Sequence, residues 1–146
     1  MKAKDLMTQK PECVTREESV QQAARIMRDL DVGFVPVVED RRTMRLAGVI
    51  TDRDIAVRLV AEGFRDNAKV GDYMSSGSIA RVDPETDVED VVRQMQERRV
   101  RRIPVIEGED RLVGVIAQAD VAMDVPDEAS VAETVSRISE PGEPRR

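Results

Sequence analysis

The sequence predicts an α/β (α+β) fold built from two copies of one β-α-β-β-α unit. Two observations predict it: an internal repeat and, inside each copy, a helical apolar pattern followed by two short apolar runs. With a shift of 68, Val14 falls on Val82, Val20 on Val88, Arg25 on Arg93, Met27 on Met95, Val32 on Val100 and Pro36 on Pro104. Two residues are then lost from the second loop. The shift of 66 that results sets Leu46 on Leu112, Gly48 on Gly114, Val49 on Val115, Ile50 on Ile116 and Asp54 on Asp120. Apolar matches alone arise by convergent patterning; Pro, Gly and Asp matching in the same order indicate a duplication.

Each copy reads the same way. A short β segment ends near Val14 or Val82, and a helix then starts at a capping residue, Ser19 or Asp87, with Gln22 or Asp90 three positions on. Its inner face is Val20, Ala23, Ala24, Met27 and Leu30 in the first copy and Val88, Val91, Val92 and Met95 in the second. The strand Val35–Val38 is matched by Ile103–Ile106. Pro36 and Pro104 lack a ladder N–H, which predicts a strand start or sheet edge. A polar loop leads to a third strand, Leu46–Ile50 or Leu112–Ile116, and in the first copy to a helix from Asp52 to Ala61 that turns Ile55, Leu59 and Val60 inward. Gly63 is placed to end that helix.

A unit of about 55 residues is marginal for folding alone, so the two are expected to share one core. The expected organisation is a first repeat over 3–62, a linker over 63–77, a second repeat over 78–124, a C-terminal helix over 125–139 and a disordered tail over 140–146. The linker holds a short helix, Val70 to Met74, echoing Lys4 to Met7. Val131, Val135 and Ile138 form an amphipathic stripe that packs on its own core or meets a second subunit.

Composition removes several kinds of chemistry. With no His, a Ser-His-Asp triad and a zinc site built on imidazole are excluded, and one Cys makes no internal disulfide. Cys13 reads as a half-buried strand thiol. No P-loop or Gly-x-Ser-x-Gly elbow occurs, so no catalytic residue is named and the expectation is not an enzyme. A net charge of −6 and aromatics at 2% speak against nucleic acid. No apolar run is long enough to span a bilayer and the N-terminus lacks a secretory pattern, so the expected location is cytoplasmic with no membrane partner. One basic cluster, Arg98, Arg99, Arg101 and Arg102, stands against the acidic background.

The ordered motifs carry a family likeness. Lys4-Asp-Leu-Met-Thr8, Val35-Pro-Val37 and Gly48-Val-Ile-Thr-Asp-Arg-Asp54 are answered by Val70-Gly-Asp-Tyr-Met-Ser75, Arg101-Arg-Ile-Pro-Val105 and Gly114-Val-Ile-Ala-Gln-Ala-Asp120. This pattern resembles the cystathionine-β-synthase (CBS) domain, two in tandem resembling a Bateman module, and is similar to short bacterial proteins of the hypoxic-response type. The resemblance implies a pseudo-two-fold pair of repeats with an adenosyl ligand in the cleft between them. It implies that Thr51 touches a phosphate and Asp54 accepts from the ribose hydroxyls. Val35 and Pro36 line the base pocket, with Ile103 the second-copy counterpart of Val35, while Thr8 and Val14 edge it. The glycine is expected to keep the strand open for an adenine.

The second copy departs from this pattern. Ala117 replaces the hydroxyl, Asp120 is retained, and Arg102 stands where an arginine can reach phosphate; the first copy has Phe34 there. The first-copy carboxylate is the favoured site, with one ligand per chain. A second reading of Thr51–Asp54 stays open from spacing alone: Thr51 as helix cap and Asp54 in the first turn. Likewise Gly48 and Gly114 read equally as marks of close packing.

The expected function is a regulatory module that senses an adenosyl compound (AMP, ADP, ATP or S-adenosylmethionine), requires no cofactor, forms a homodimer and signals to a separate protein partner. The competing expectation is a ligand-free interaction or oligomerisation scaffold with a vestigial site, favoured by Ala117 and Phe34.

Overall fold

The computed structural model describes residues 1–124. The helix expected over 125–139, with its Val131–Val135–Ile138 stripe, and the tail over 140–146 lie outside the described residues. Two compact units emerge, and neither is contiguous in sequence. One contains Met1–Pro11, Ala80–Gly108 and, among the described residues, 113–124; the other contains Glu12–Ile79 with Glu109–Leu112. Residues 3–11, expected in the first repeat, thus fold with the second repeat, and the linker over 63–77 folds with the first.

In the unit built on the first repeat, β2 (Val14–Thr15) runs parallel to β3 (Phe34–Val38), which pairs antiparallel with β4 (Leu46–Thr51). Ser75 adds a single bridge pair on the far side of Val49, with its N–H and C=O bonded to Val49 at 2.8 and 2.9 Å. Helix α2 (Val20–Leu30) starts where the Ser19 hydroxyl accepts the Gln22 N–H, and it ends in a left-handed residue, Asp31. It buries Val20, Ala23 and Met27 against Val14, Val35, Val37 and Ile50. Leu30, expected inside, is 52% exposed. It belongs to the last turn, and the core row passes to Ile26 instead.

Pro36 is also a correction. It sits mid-strand in β3, the central strand of its sheet, not at an edge. The register explains why. Pro36 faces Val49, whose N–H and C=O are both turned away to Ser75, so β4 asks nothing of Pro36 nitrogen. On its other side β2 begins pairing only at Val37. The missing donor therefore leaves no carbonyl unpaired.

The segment after β4 is helical in three pieces: α3 (Asp52–Asp54), a π-helical stretch (Ile55–Val60) and α4 (Ala61–Gly63). Leu59 is buried and Ile55 packs on the same core, but Val60 is 56% exposed, against the expectation that it faces inward. Gly63 takes φ +111°, the conformation expected of a glycine closing a helix. Helix α5 (Val70–Tyr73) then inserts Val70 and Met74 into this core.

The other unit repeats the design with different parts. Its sheet has the order β1 (Thr8–Gln9), β6 (Arg111–Ala117), β5 (Arg102–Glu107), and Val82 makes a single parallel bridge to Val105. Pro104 gives its carbonyl to the Val82 N–H at 3.1 Å, and Val82 accepts from Ile106 at 2.8 Å, so the bonds step around the proline nitrogen. Helix α6 (Val88–Arg98) buries Val88, Val91, Val92 and Met95, the four residues expected. At its start Asp87 turns its carboxylate to Lys2 Nζ (2.6 Å) rather than to the helix, and Arg99 closes it in the left-handed region. Helix α1 (Ala3–Leu6) docks through Ala3 N–H to the Thr86 carbonyl and Lys4 N–H to the Pro84 carbonyl. Val70 N–H to Glu18 and Gly71 N–H to Arg16 are the equivalent bonds in the first unit, so the duplication extends to the docking of the short helices. Helix α7 (Gln118–Asp124) follows β6.

Candidate functional site

The duplicated carboxylates both lie where a strand turns into a helix, β4 into α3 and β6 into α7. At the first corner the chain leaves β4 in extended conformation at Thr51, whose hydroxyl accepts the Asp54 N–H at 3.0 Å. Asp54 Oδ2 accepts the Thr51 N–H in return at 3.1 Å. This reciprocal pair is a capping box, so the cap reading of Thr51–Asp54 is a fact of the fold whatever else these groups do.

Further contacts converge on Asp54. The Ser75 hydroxyl lies 3.0 Å from Oδ1 and 3.1 Å from Oδ2. Arg58, one turn on, holds its Nε 3.9 Å from Oδ1 and donates from Nη1 to the Met74 carbonyl at 2.8 Å. Both Thr51 and Asp54 are 6% exposed. Closed over by Ser75, this carboxylate has its inner oxygen spent on backbone and its outer face covered.

The second corner keeps half of that arrangement. Asp120 Oδ2 accepts the Ala117 N–H at 2.9 Å. The retained carboxylate thus has a structural task even where alanine has replaced the capping hydroxyl. It differs from Asp54 in being half-exposed, and among the described residues Oδ1 has no partner. Gln118 N–H donates to the Arg101 carbonyl at 2.8 Å, which brings the start of β5, and so half-buried Arg102, beside this corner. Among the described residues no carboxylate pairs with the Arg102 guanidinium.

The remaining expected site residues divide between the units. Val14, Val35 and Pro36 lie with Thr51 and Asp54; Thr8 and Ile103 lie with Arg102 and Asp120. Val14 and Val35 are fully buried in the core under α2, and Ile103 is buried in the equivalent core. Strand alternation puts Pro36 on the opposite face from Val35, the face that carries Phe34 and Thr51. Thr8 is exposed and pairs with Val115 just as Ser75 pairs with Val49. Ser75 is the residue at this corner that sequence reasoning left out of the candidate site. The signal was present: carrying the Lys4–Met7 and Val70–Met74 match one residue further sets Thr8 on Ser75.

The glycines resolve in favour of close packing. A Cβ on Gly48 would lie 2.3 Å from the Ser75 carbonyl oxygen, and one on Gly114 would lie 2.6 Å from Met7 Sδ. The space beside each glycine is filled by the chain's own short-helix segment rather than held open for a base.

Cys13 is more deeply buried than expected, at 4% exposure. Arg41 donates to its carbonyl at 3.2 Å and to Glu18 at 2.8 Å, and burial pushes the thiol pKa up. No group of three His, Cys, Asp or Glu side chains suited to a metal ion occurs among the described residues. No described helix is long and apolar enough to cross a membrane.

Relatives are found both in sequence and in solved structure. Hypoxic response protein 1 of Mycobacterium tuberculosis is 37% identical over 129 residues, 88% of each chain. The solved structure of Hypoxic Response Protein I, which holds two coordinated zinc ions, superposes with a TM-score of 0.76 at 37% identity, covering 86% of this chain and all of that one. CBSX2, solved in complex with AMP, superposes with a TM-score of 0.71 at 27% identity, covering 84% of this chain and 93% of that one. The CBS-domain profile matches residues 3–61 and again 70–127, nearly the full span of the repeat and of the two sheets, and the chain therefore belongs to the CBS-domain family.

Proposed function

We propose that this chain is a regulatory module that senses an adenosyl nucleotide and passes the signal to a separate protein partner. The carrying observation is the second corner: a half-exposed Asp120 with one oxygen fixed by backbone and the other without a partner among the described residues, at a corner that Gln118 ties to the Arg101 carbonyl, next to Arg102 in the chain. A carboxylate held that way accepts the vicinal hydroxyls of a ribose, and a guanidinium is suited to a phosphate. The AMP complex of the similar CBSX2 supports this ligand class. Asp54 is the equivalent acceptor at the first corner, with Thr51 free to donate its own hydroxyl hydrogen. The test is equilibrium binding of AMP and S-adenosylmethionine to the wild type, Asp120→Ala and Arg102→Met. Loss of a charged hydrogen bond is expected to weaken binding about 10- to 100-fold in each variant. Unchanged affinity in both would remove the second corner from the site.

A second reading has its own observation. An exposed apolar stripe of Val57 and Val60 in the π-helical stretch is followed by exposed Phe64 just past the helix end at Gly63. Such a stripe suits self-association, and a homodimer through it is the assembly proposed here. If the dimer forms and no adenosyl compound binds, the chain is an interaction scaffold.

A further inference from the structure

We propose that Ser75 is an internal competitor for the Asp54 carboxylate, which keeps the first corner closed and makes the two corners unequal. This inference rests on the reading of these carboxylates as ribose acceptors. Three observations carry it. First, Asp54 is not available as it stands: Oδ2 is committed to the Thr51 N–H, and the Ser75 hydroxyl sits within 3.1 Å of both oxygens. Second, of the groups on Asp54, Ser75 is the replaceable one. The Thr51 bond belongs to the helix start, whereas Ser75 is half-exposed and its hydroxyl leaves by one side-chain rotation. Its backbone stays bonded to Val49 through both N–H and C=O, so the rotation does not undo the sheet. Third, the second corner shows the same carboxylate without such a cover: Asp120 keeps its backbone bond, is half-exposed, and receives no side-chain hydroxyl among the described residues.

The chemistry of exchange is balanced. A ribose brings two adjacent hydroxyls, each able to donate to one carboxylate oxygen, while Ser75 has a single hydrogen shared between two. A vicinal diol offers two bonds where Ser75 offers one, but it must first break the Ser75 contact and turn that side chain away, a cost the second corner does not impose. The same displacement is open to no mono-hydroxyl compound on equal terms. Ser75 accordingly sets both the affinity of the first corner and its preference for an unmodified ribose over a 2′-deoxyribose.

The experiment is titration calorimetry of AMP, with S-adenosylmethionine in parallel, into wild type, Ser75→Ala, Ser75→Thr and Ser75→Ala/Asp54→Ala. Wild type is expected to take one ligand per chain at the second corner. Ser75→Ala is expected to take two, the added one lost again in the double variant, while Ser75→Thr, which restores a hydroxyl, returns to one. A wild type that already takes two, or a Ser75→Ala protein that still takes one with unchanged affinity, overturns the role of Ser75 and leaves the ligand reading standing. Absence of binding in every variant overturns both. A denaturation double-mutant cycle between Ser75→Ala and Asp54→Asn in ligand-free protein supplies a readout that needs no nucleotide. Additive effects there would mean the hydroxyl and carboxylate do not interact, and the proposal would fall.

Discussion

Replacing Gly48 by alanine should destabilise the protein far more than the same change at Gly114, although the two glycines are equivalent in the repeat. At Gly48 the new Cβ meets backbone: it would stand 2.3 Å from the Ser75 carbonyl oxygen and 3.3 Å from its carbon, with Met74 Sδ at 3.5 Å. That is roughly 1 Å short of ordinary contact, and the oxygen cannot retreat alone, because it accepts the Val49 N–H and the same residue donates to the Val49 carbonyl. Relief therefore weakens two hydrogen bonds, about 1–3 kcal/mol together, and adds an overpacking cost of about 1–3 kcal/mol. The stiffer unfolded chain returns about 0.4–1 kcal/mol. A net loss of about 1–6 kcal/mol results. At Gly114 the obstacle is the Met7 side chain on a half-exposed residue, with Sδ at 2.6 Å and Cγ at 2.9 Å able to swing away and Cβ, at 3.0 Å, left to give by a few tenths of an ångström. Swinging it aside costs about 1 kcal/mol by the rotamer argument, close to what the unfolded state returns. Urea denaturation of both variants beside the wild type measures the difference directly, and thermal melting should separate them by several degrees at about 2–4 °C per kcal/mol. Equal losses, or a larger one at Gly114, would refute the claim that Ser75 backbone is clamped against β4.

Further consequences follow from the same geometry. Ala117→Thr should complete the capping box that Asp120 already half forms, raising stability by about 0.5–2 kcal/mol in the same denaturation assay; a loss would mean the second corner cannot accept a capping hydroxyl. Cys13 should react slowly with iodoacetamide at pH 8 in the folded protein and quickly in denaturant, because it is buried and its thiol is held above the ordinary range, as mass-spectrometric counting of alkylated chains would show. Val60→Asp should convert a dimer to a monomer in light scattering with little change in the melting curve of the monomer, since Val60 contributes exposed rather than core surface; an unaltered dimer would place the interface elsewhere.

How much of this was legible in sequence depends on whether a residue's role is local. Helix α6 was read whole, since Val88, Val91, Val92 and Met95 repeat at helical spacing and all four are buried. Leu30 and Val60 were misread for one reason: spacing tells which side of a helix is apolar, not how far the neighbouring sheet extends to cover it. Pro36 was misread because register decides whether a missing N–H matters, and register depends on where β2 begins and where Val49 sends its own bonds. Thr51 and Asp54 were found as a pair, and the cap between them follows from their three-residue spacing. What covers Asp54 was not found, since Ser75 arrives from 21 residues away through the linker. The family likeness placed Thr8 with the first-copy residues, whereas the short segment carrying it folds with the second repeat.

The central claim is that the Asp120 corner takes an adenosyl ligand, and a melting-curve screen with AMP, ADP, ATP and S-adenosylmethionine tests it most directly, run on wild type and Asp120→Ala. A ligand at 100 times its dissociation constant adds about 2.7 kcal/mol of stability, a shift of several degrees. At least one of these compounds is expected to raise the wild-type melting temperature, and Asp120→Ala to lose most of the rise. A wild type that none of the four stabilises, or a shift that Asp120→Ala keeps in full, would contradict it.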